Sequence, residues 1–200
     1  MGWFFNREKQ EEKDRQDASQ FRKVMQTYQK YAEFPYINPD ESLLNERIQQ
    51  LATGAIPFVE PAVMERNQDG YLLGELILLD WLQGKSSEIN DFPDYFELKL
   101  GINAAETVMP LLDDDCLDIL EDEGALYFRP LEELNDLAEE YGLERKATYD
   151  ELIASFKADF TSDFLADLIG RGVYVPMEYG QQLLTKYQAD IEAFQIKHQL

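Results

Sequence analysis

The chain has 200 residues, of which 44% are hydrophobic and 12% aromatic, ample for one large domain or two small ones with a real core, and incompatible with disorder throughout. Its 40 Asp and Glu against 18 Lys and Arg give a formal charge of −22, which favours solubility and opposes non-specific attachment to nucleic acid or to an anionic membrane. A single cysteine, Cys116, allows no internal disulfide, so a reducing compartment and a cytoplasmic location are expected.

Trp3, Phe4 and Phe5 give way at once to charged residues, so no apolar stretch of signal-peptide length is present, and Asn6 stands where a myristoylation motif carries Ser or Thr. Residues 6 to 33 read as one helix of two characters. Asn6 to Ala18 is almost wholly polar, whereas Phe21, Val24, Met25, Tyr28 and Tyr31 or Ala32 repeat at helical spacing and need a partner surface, either their own core or an oligomer. Seven of the basic residues precede Phe34, alongside six acids, which leaves 11 basic and 34 acidic residues after it. Phe34-Pro35 breaks the helix, and Asn38-Pro39-Asp40 leads into a further helix near residues 41 to 52, followed by a loop with Pro57 and Pro61.

Glu65 to Gly70 has the front of a calcium loop, with Glu65, Asn67 and Asp69 at alternate positions and Gly70 sixth, but Leu76 stands where the bidentate acid belongs. A plain turn is predicted. From Tyr71 the sequence YLLGELILLDWLQ predicts a central helix buried all round and stopped by Gly84; its longest apolar run, Leu76 to Leu79, is too short to span a bilayer.

Residues 91 to 129 predict a short helix around Tyr95 to Leu100, a turn at Gly101 and a helix from about Ala104 to Leu112 capped by Asn103. Two extended runs, Leu117 to Leu120 and Ala125 to Arg129, are expected to pair as a hairpin across Glu121 to Gly124. Helix, turn, helix and hairpin in that order resemble a winged helix. Such a fold reads DNA with basic or amide side chains on its second helix, and no basic residue lies between Asn103 and Asp115, so reuse of the fold for packing or protein contacts is expected.

The stretch LEELNDLAEEYGLERKATYDELIASF, Leu131 to Phe156, predicts helix, extended link, helix. Leu131, Leu134, Leu137, Ala138 and Tyr141 form one apolar stripe, Gly142 ends the helix and Leu143 buries on exit. Thr148 is the expected N-cap of the second helix, with Glu151 as in a capping box and Leu152, Ile153 and Phe156 as the second stripe. This resembles a SAP module, whose best-known members bind AT-rich DNA. In that family the link carries a glycine and one or two lysines that approach phosphates; here Ala147 replaces the glycine, and Thr148 and Tyr149 replace the lysines. If the resemblance extends to the ligand, Arg145 and Lys146, with Lys157 on the second helix, are the candidate nucleic-acid contacts. The carboxylates of both helices oppose it.

A pattern of FP-x-YF, LGIN, a SAP-like module and then a strand, turn, Gly and helix, here Gly172 to Tyr187, is similar to that of a group of bacterial and phage-associated SAP-containing proteins. Phe156, Phe160, Phe164, Leu165 and Leu168 read as core before they read as a ligand pocket. Catalytic chemistry is hard to assemble. The one histidine is His198; Cys116 lies among Asp113, Asp114, Asp115 and Asp118, which disfavour a thiolate; and Gly170-Arg171-Gly172 is too short for a phosphate loop. No catalytic residue, metal ligand or cofactor is assigned.

The expected fold is mainly α, a multi-helix domain with a winged-helix-like segment, short β-hairpins and a SAP-like module. A helical arm over 1–35 precedes a body over 36–200, divided into about 70–130 winged-helix-like, 131–158 SAP-like and 159–200 strand-turn-helix. The expected function is a non-enzymatic adaptor whose acidic face, Glu132, Glu133, Asp136, Glu139 and Glu140, meets a basic protein. The alternatives are a DNA- or RNA-binding regulator and a DNA mimic that blocks a nucleic-acid-binding protein. No membrane partner is expected, and the oligomeric state is left open.

Overall fold

The computed structural model describes residues 59–200 and 33–36, together with Ser19, Arg22, Gln26, Tyr28 and Gln29. The chain is mainly helical with a small two-stranded antiparallel sheet. Its elements are α1 (Leu73–Leu82), α2 (Tyr95–Leu98), α3 (Ala104–Asp113), β1 (Leu117–Leu120), α4 (Leu131–Glu140), α5 (Tyr149–Asp159), α6 (Ser162–Ile169), β2 (Val173–Pro176) and α7 (Glu178–His198). Short 3-10 turns cover Pro61–Met64 and Glu123–Phe128. Among the described residues no helix is long and apolar enough to cross a membrane. Ser19, Arg22, Gln26 and Tyr28 are helical and Glu33–Tyr36 is not, in keeping with a break at Phe34-Pro35. The rest of the helix predicted over 6–33, and the one near 41–52, lie outside the described residues.

Contacts divide the chain into two compact units: Met1–Leu78 with Phe92–Val108 and Gln188–Leu200, and Leu79–Asp91 with Met109–Tyr187. In the first, α1 presents Leu76, Ile77 and Leu78 to the interior at 1% exposure or less, as an apolar helix without a polar face must. Gly74 lets α1 approach its neighbour closely, because a Cβ there would lie 3.1 Å from Ile102 Cγ2 and 3.2 Å from Leu100 Cβ. Residues 65 to 70 form the predicted turn. The Asn67 carboxamide oxygen accepts from the Asp69 and Tyr71 amides at 2.9 and 3.1 Å, and Gly70 has φ +90°. Arg66 ties that turn to Glu33 and Glu75 at 2.9 and 3.2 Å. Asn103 caps α3, accepting from the Glu106 amide at 3.3 Å.

The second unit corrects the expected hairpin. Leu117 to Leu120 is a strand, but its partner is β2, in antiparallel register from Leu117 opposite Pro176 to Leu120 opposite Val173. Ala125 to Arg129 is not a strand, because the Asp122 carboxylate accepts from the Gly124 amide at 2.8 Å and winds Glu123–Phe128 into a 3-10 turn that buries Ala125 and Leu126. The hairpin expected between Leu117 to Leu120 and Ala125 to Arg129 is therefore not formed. Gly172, at φ +85°, packs so tightly on the Leu120 carbonyl that a Cβ would overlap it. On its other side β2 exchanges bonds with the segment after α1: the Gly84 amide donates to Tyr174 O and the Tyr174 amide to Lys85 O, both at 2.9 Å.

The remainder of this unit is a helical module over 123–169. Leu126, Leu134, Ala138, Leu152, Ile153 and Phe156 make its buried core, with Leu131, Leu137, Leu143, Phe160, Leu165 and Leu168 packed around them. The stripes read from the sequence supply this core except for Tyr141, which ends α4 at the surface, 54% exposed. α6 is a separate helix, started where the Thr161 side chain accepts from the Phe164 amide at 3.2 Å.

Candidate functional site

The module's geometry begins with how α4 stops. The Leu143 amide donates to Ala138 O at 2.8 Å and the Gly142 amide to Glu139 O at 3.0 Å, a Schellman closure with Gly142 at φ +78° and Leu143 returned to the core. The link then runs to Thr148, whose hydroxyl accepts from the Glu151 amide at 3.3 Å and caps α5. Between these ends the link is held by a residue the sequence reading passed over. Asn135, 4% exposed, donates its Nδ2 to Lys146 O at 3.0 Å and accepts the Lys146 amide on Oδ1 at 2.8 Å. One buried carboxamide thus satisfies both backbone groups of Lys146 as a strand partner would. Its signal was legible: Asn135 lies four residues after Leu131 and three before Ala138, an amide inside an apolar stripe.

This clamp fixes where Arg145 and Lys146 emerge. The Arg145 guanidinium is held by three carboxylates of α4: Asp136 at 2.7 Å, Glu139 at 3.0 Å and Glu132. Residues 132, 136 and 139 share one helix face by their spacing. The hydrogen bond with Asp136, then that with Glu139, keeps the Arg145 charge even harder to remove than usual. Lys146 Nζ lies 3.7 Å from Glu144 and Lys157 Nζ 2.7 Å from Glu123, whose carboxyl is pulled below its ordinary range by that hydrogen bond. The three candidate nucleic-acid contacts are therefore each engaged by acid, and Lys157 is apart from the Arg145 cluster on a different helix.

The acidic face divides. Glu132, Asp136 and Glu139 share Arg145, Glu133 pairs with Arg129, and the exposed Glu140 carboxylate has no ion partner among the described residues. Over 123–169 the sequence has 12 Asp and Glu and only Arg129, Arg145, Lys146 and Lys157 as bases. Each of those four bases is paired with a carboxylate. In the segment that resembles a winged helix, α3 carries Glu106 and Asp113 but no base. Cys116 is fully buried. Among the described residues no group of three His, Cys, Asp or Glu side chains is placed to hold a metal ion. No family model, curated protein or solved structure matches this chain.

Proposed function

We propose that this chain is a non-enzymatic interaction protein whose module over 123–169 docks a basic segment of a partner protein through its acidic surface. The observation that carries the reading is the Arg145 clamp. To touch a phosphate, that guanidinium must leave three carboxylates, and the incoming phosphate must approach the same three. A cation from a partner meets the opposite balance, since one guanidinium on three carboxylates leaves negative charge to spare. The helix, link and helix of α4 and α5 support the likeness to a SAP scaffold, and a sequence with a single cysteine suits a reducing, cytoplasmic setting.

The reading is tested with two probes, an octa-arginine peptide and a random-sequence DNA duplex, on the full chain. The peptide is expected to bind with an affinity that falls steeply as salt rises, and the duplex to show no binding at about 150 mM salt. Submicromolar duplex binding that is lost in Arg145→Glu with Lys146→Glu would overturn the proposal in favour of a nucleic-acid-binding regulator.

A further inference from the structure

Phe156 is at the bottom of the module's core, and Phe160 stacks on it with ring centroids 5.1 Å apart. The rings continue outward. Phe164 lies 4.3 Å from Phe160, and Tyr141 stands edge-on to both, at 5.4 Å and 74° to Phe160 and 4.9 Å and 69° to Phe164. The ladder ends at the surface, where Tyr141 is 54% exposed although two neighbouring rings fix its orientation. In the chain, Glu140 precedes Tyr141, Asp163 precedes Phe164, and Asp167 follows Phe164 by three residues on α6. All three are exposed, and no ion pair engages their carboxylates among the described residues. The module's own cations are engaged elsewhere, at Glu133, Glu144, Glu123 and the α4 carboxylates.

An exposed ring packed on two others, at the C-terminal end of a helix and flanked in the chain by uncompensated carboxylates, favours a cation on three counts: ring quadrupole, helix dipole and charge. It disfavours a second copy of this chain, which brings charge of the same sign, and for the same reason an anionic membrane or nucleic acid. We propose that Tyr141, Phe160 and Phe164, rimmed by Glu140, Asp163 and Asp167, seat a Lys or Arg side chain of a basic partner segment. This rests on the adaptor reading and assigns its anchor to the end of the aromatic ladder rather than to the Arg145 face.

The test titrates octa-arginine into the full chain at low ionic strength, following ring-proton resonances by NMR and affinity by calorimetry. The Tyr141, Phe160 and Phe164 rings are expected to shift first and most. Tyr141→Leu, which keeps an apolar cover but removes the ring, is expected to weaken binding about two- to fivefold. Glu140→Gln with Asp163→Asn and Asp167→Asn is expected to flatten the salt dependence without touching the rings. If wild type binds the peptide while Tyr141→Leu and the triple variant match it and the rings do not move, the anchor assignment is overturned and the adaptor reading stands. If wild type does not bind the peptide at all, the adaptor reading itself fails.

Discussion

A single buried carboxamide decides where the module's charges emerge. Asn135 answers both backbone groups of Lys146, so Asn135→Ala strands a buried amide and carbonyl and is expected to destabilise the unit by about 2–4 kcal/mol in urea unfolding. A loss within experimental error would mean that water satisfies the link. Arg145 is different in kind. Its pairs are at the surface, with 34% of its side chain exposed, so Arg145→Gln is expected to change stability by no more than about 1 kcal/mol. The same substitution frees three carboxylates, and octa-arginine affinity is expected to rise by up to about fivefold; a fall in affinity would contradict the assigned sign of the face. Tyr174 supplies a pH dependence. Burial raises its phenol above the ordinary 10.0, so its contribution is complete below that value and is lost as pH rises through the raised one. Urea unfolding followed from pH 8 to 11 is expected to show a shallower loss in Tyr174→Phe than in wild type; equal losses would mean that this hydroxyl titrates as in the unfolded chain.

At the level of elements, local chemistry was legible wherever it is local. Gly142, Thr148 and Asn103 act within four residues of themselves, and the structure bears out all three caps. Gly142→Ala forces a side chain into φ +78° and is expected to cost about 1–2 kcal/mol, measured against the Asn135 variant in the same unfolding assay. The pairing of β1 was not legible. Leu117 to Leu120 has the alternation of a strand, but its true partner lies more than fifty residues on, whereas the nearer apolar run, Ala125 to Phe128, is diverted by the Asp122 cap into the module core. A turn-forming Glu-Asp-Glu-Gly suggests a hairpin; a side-chain bond to Gly124 makes it a 3-10 start instead. Gly180 shows the same limit. The sequence pattern of strand, turn, Gly and helix sets this glycine ahead of the helix; it lies instead in the first turn of α7, where a Cβ would overlap the Cys116 carbonyl. Gly180→Ala must therefore move backbone, and a loss of about 1–3 kcal/mol is expected.

Over the whole molecule, charge sets which partners are admissible and geometry sets how. The excess of acid was plain in the sequence, as were Arg145, Lys146 and Lys157 as the three cations within residues 131–158. What composition does not carry is their disposition: that α4 turns Glu132, Asp136 and Glu139 onto one guanidinium, or that Phe156, Phe160, Phe164 and Tyr141, scattered over 24 positions, become a continuous ladder from core to surface. Both proposals therefore turn on the sign of the ligand that the module would accept. The most direct measurement is a salt titration of the full chain against octa-arginine and against duplex DNA, each with wild type and with Arg145→Gln. Salt-sensitive peptide binding that Arg145→Gln strengthens, and no duplex binding at about 150 mM salt, are expected. Duplex binding with a log–log salt slope of about −2 to −3, weakened by Arg145→Gln, would contradict this.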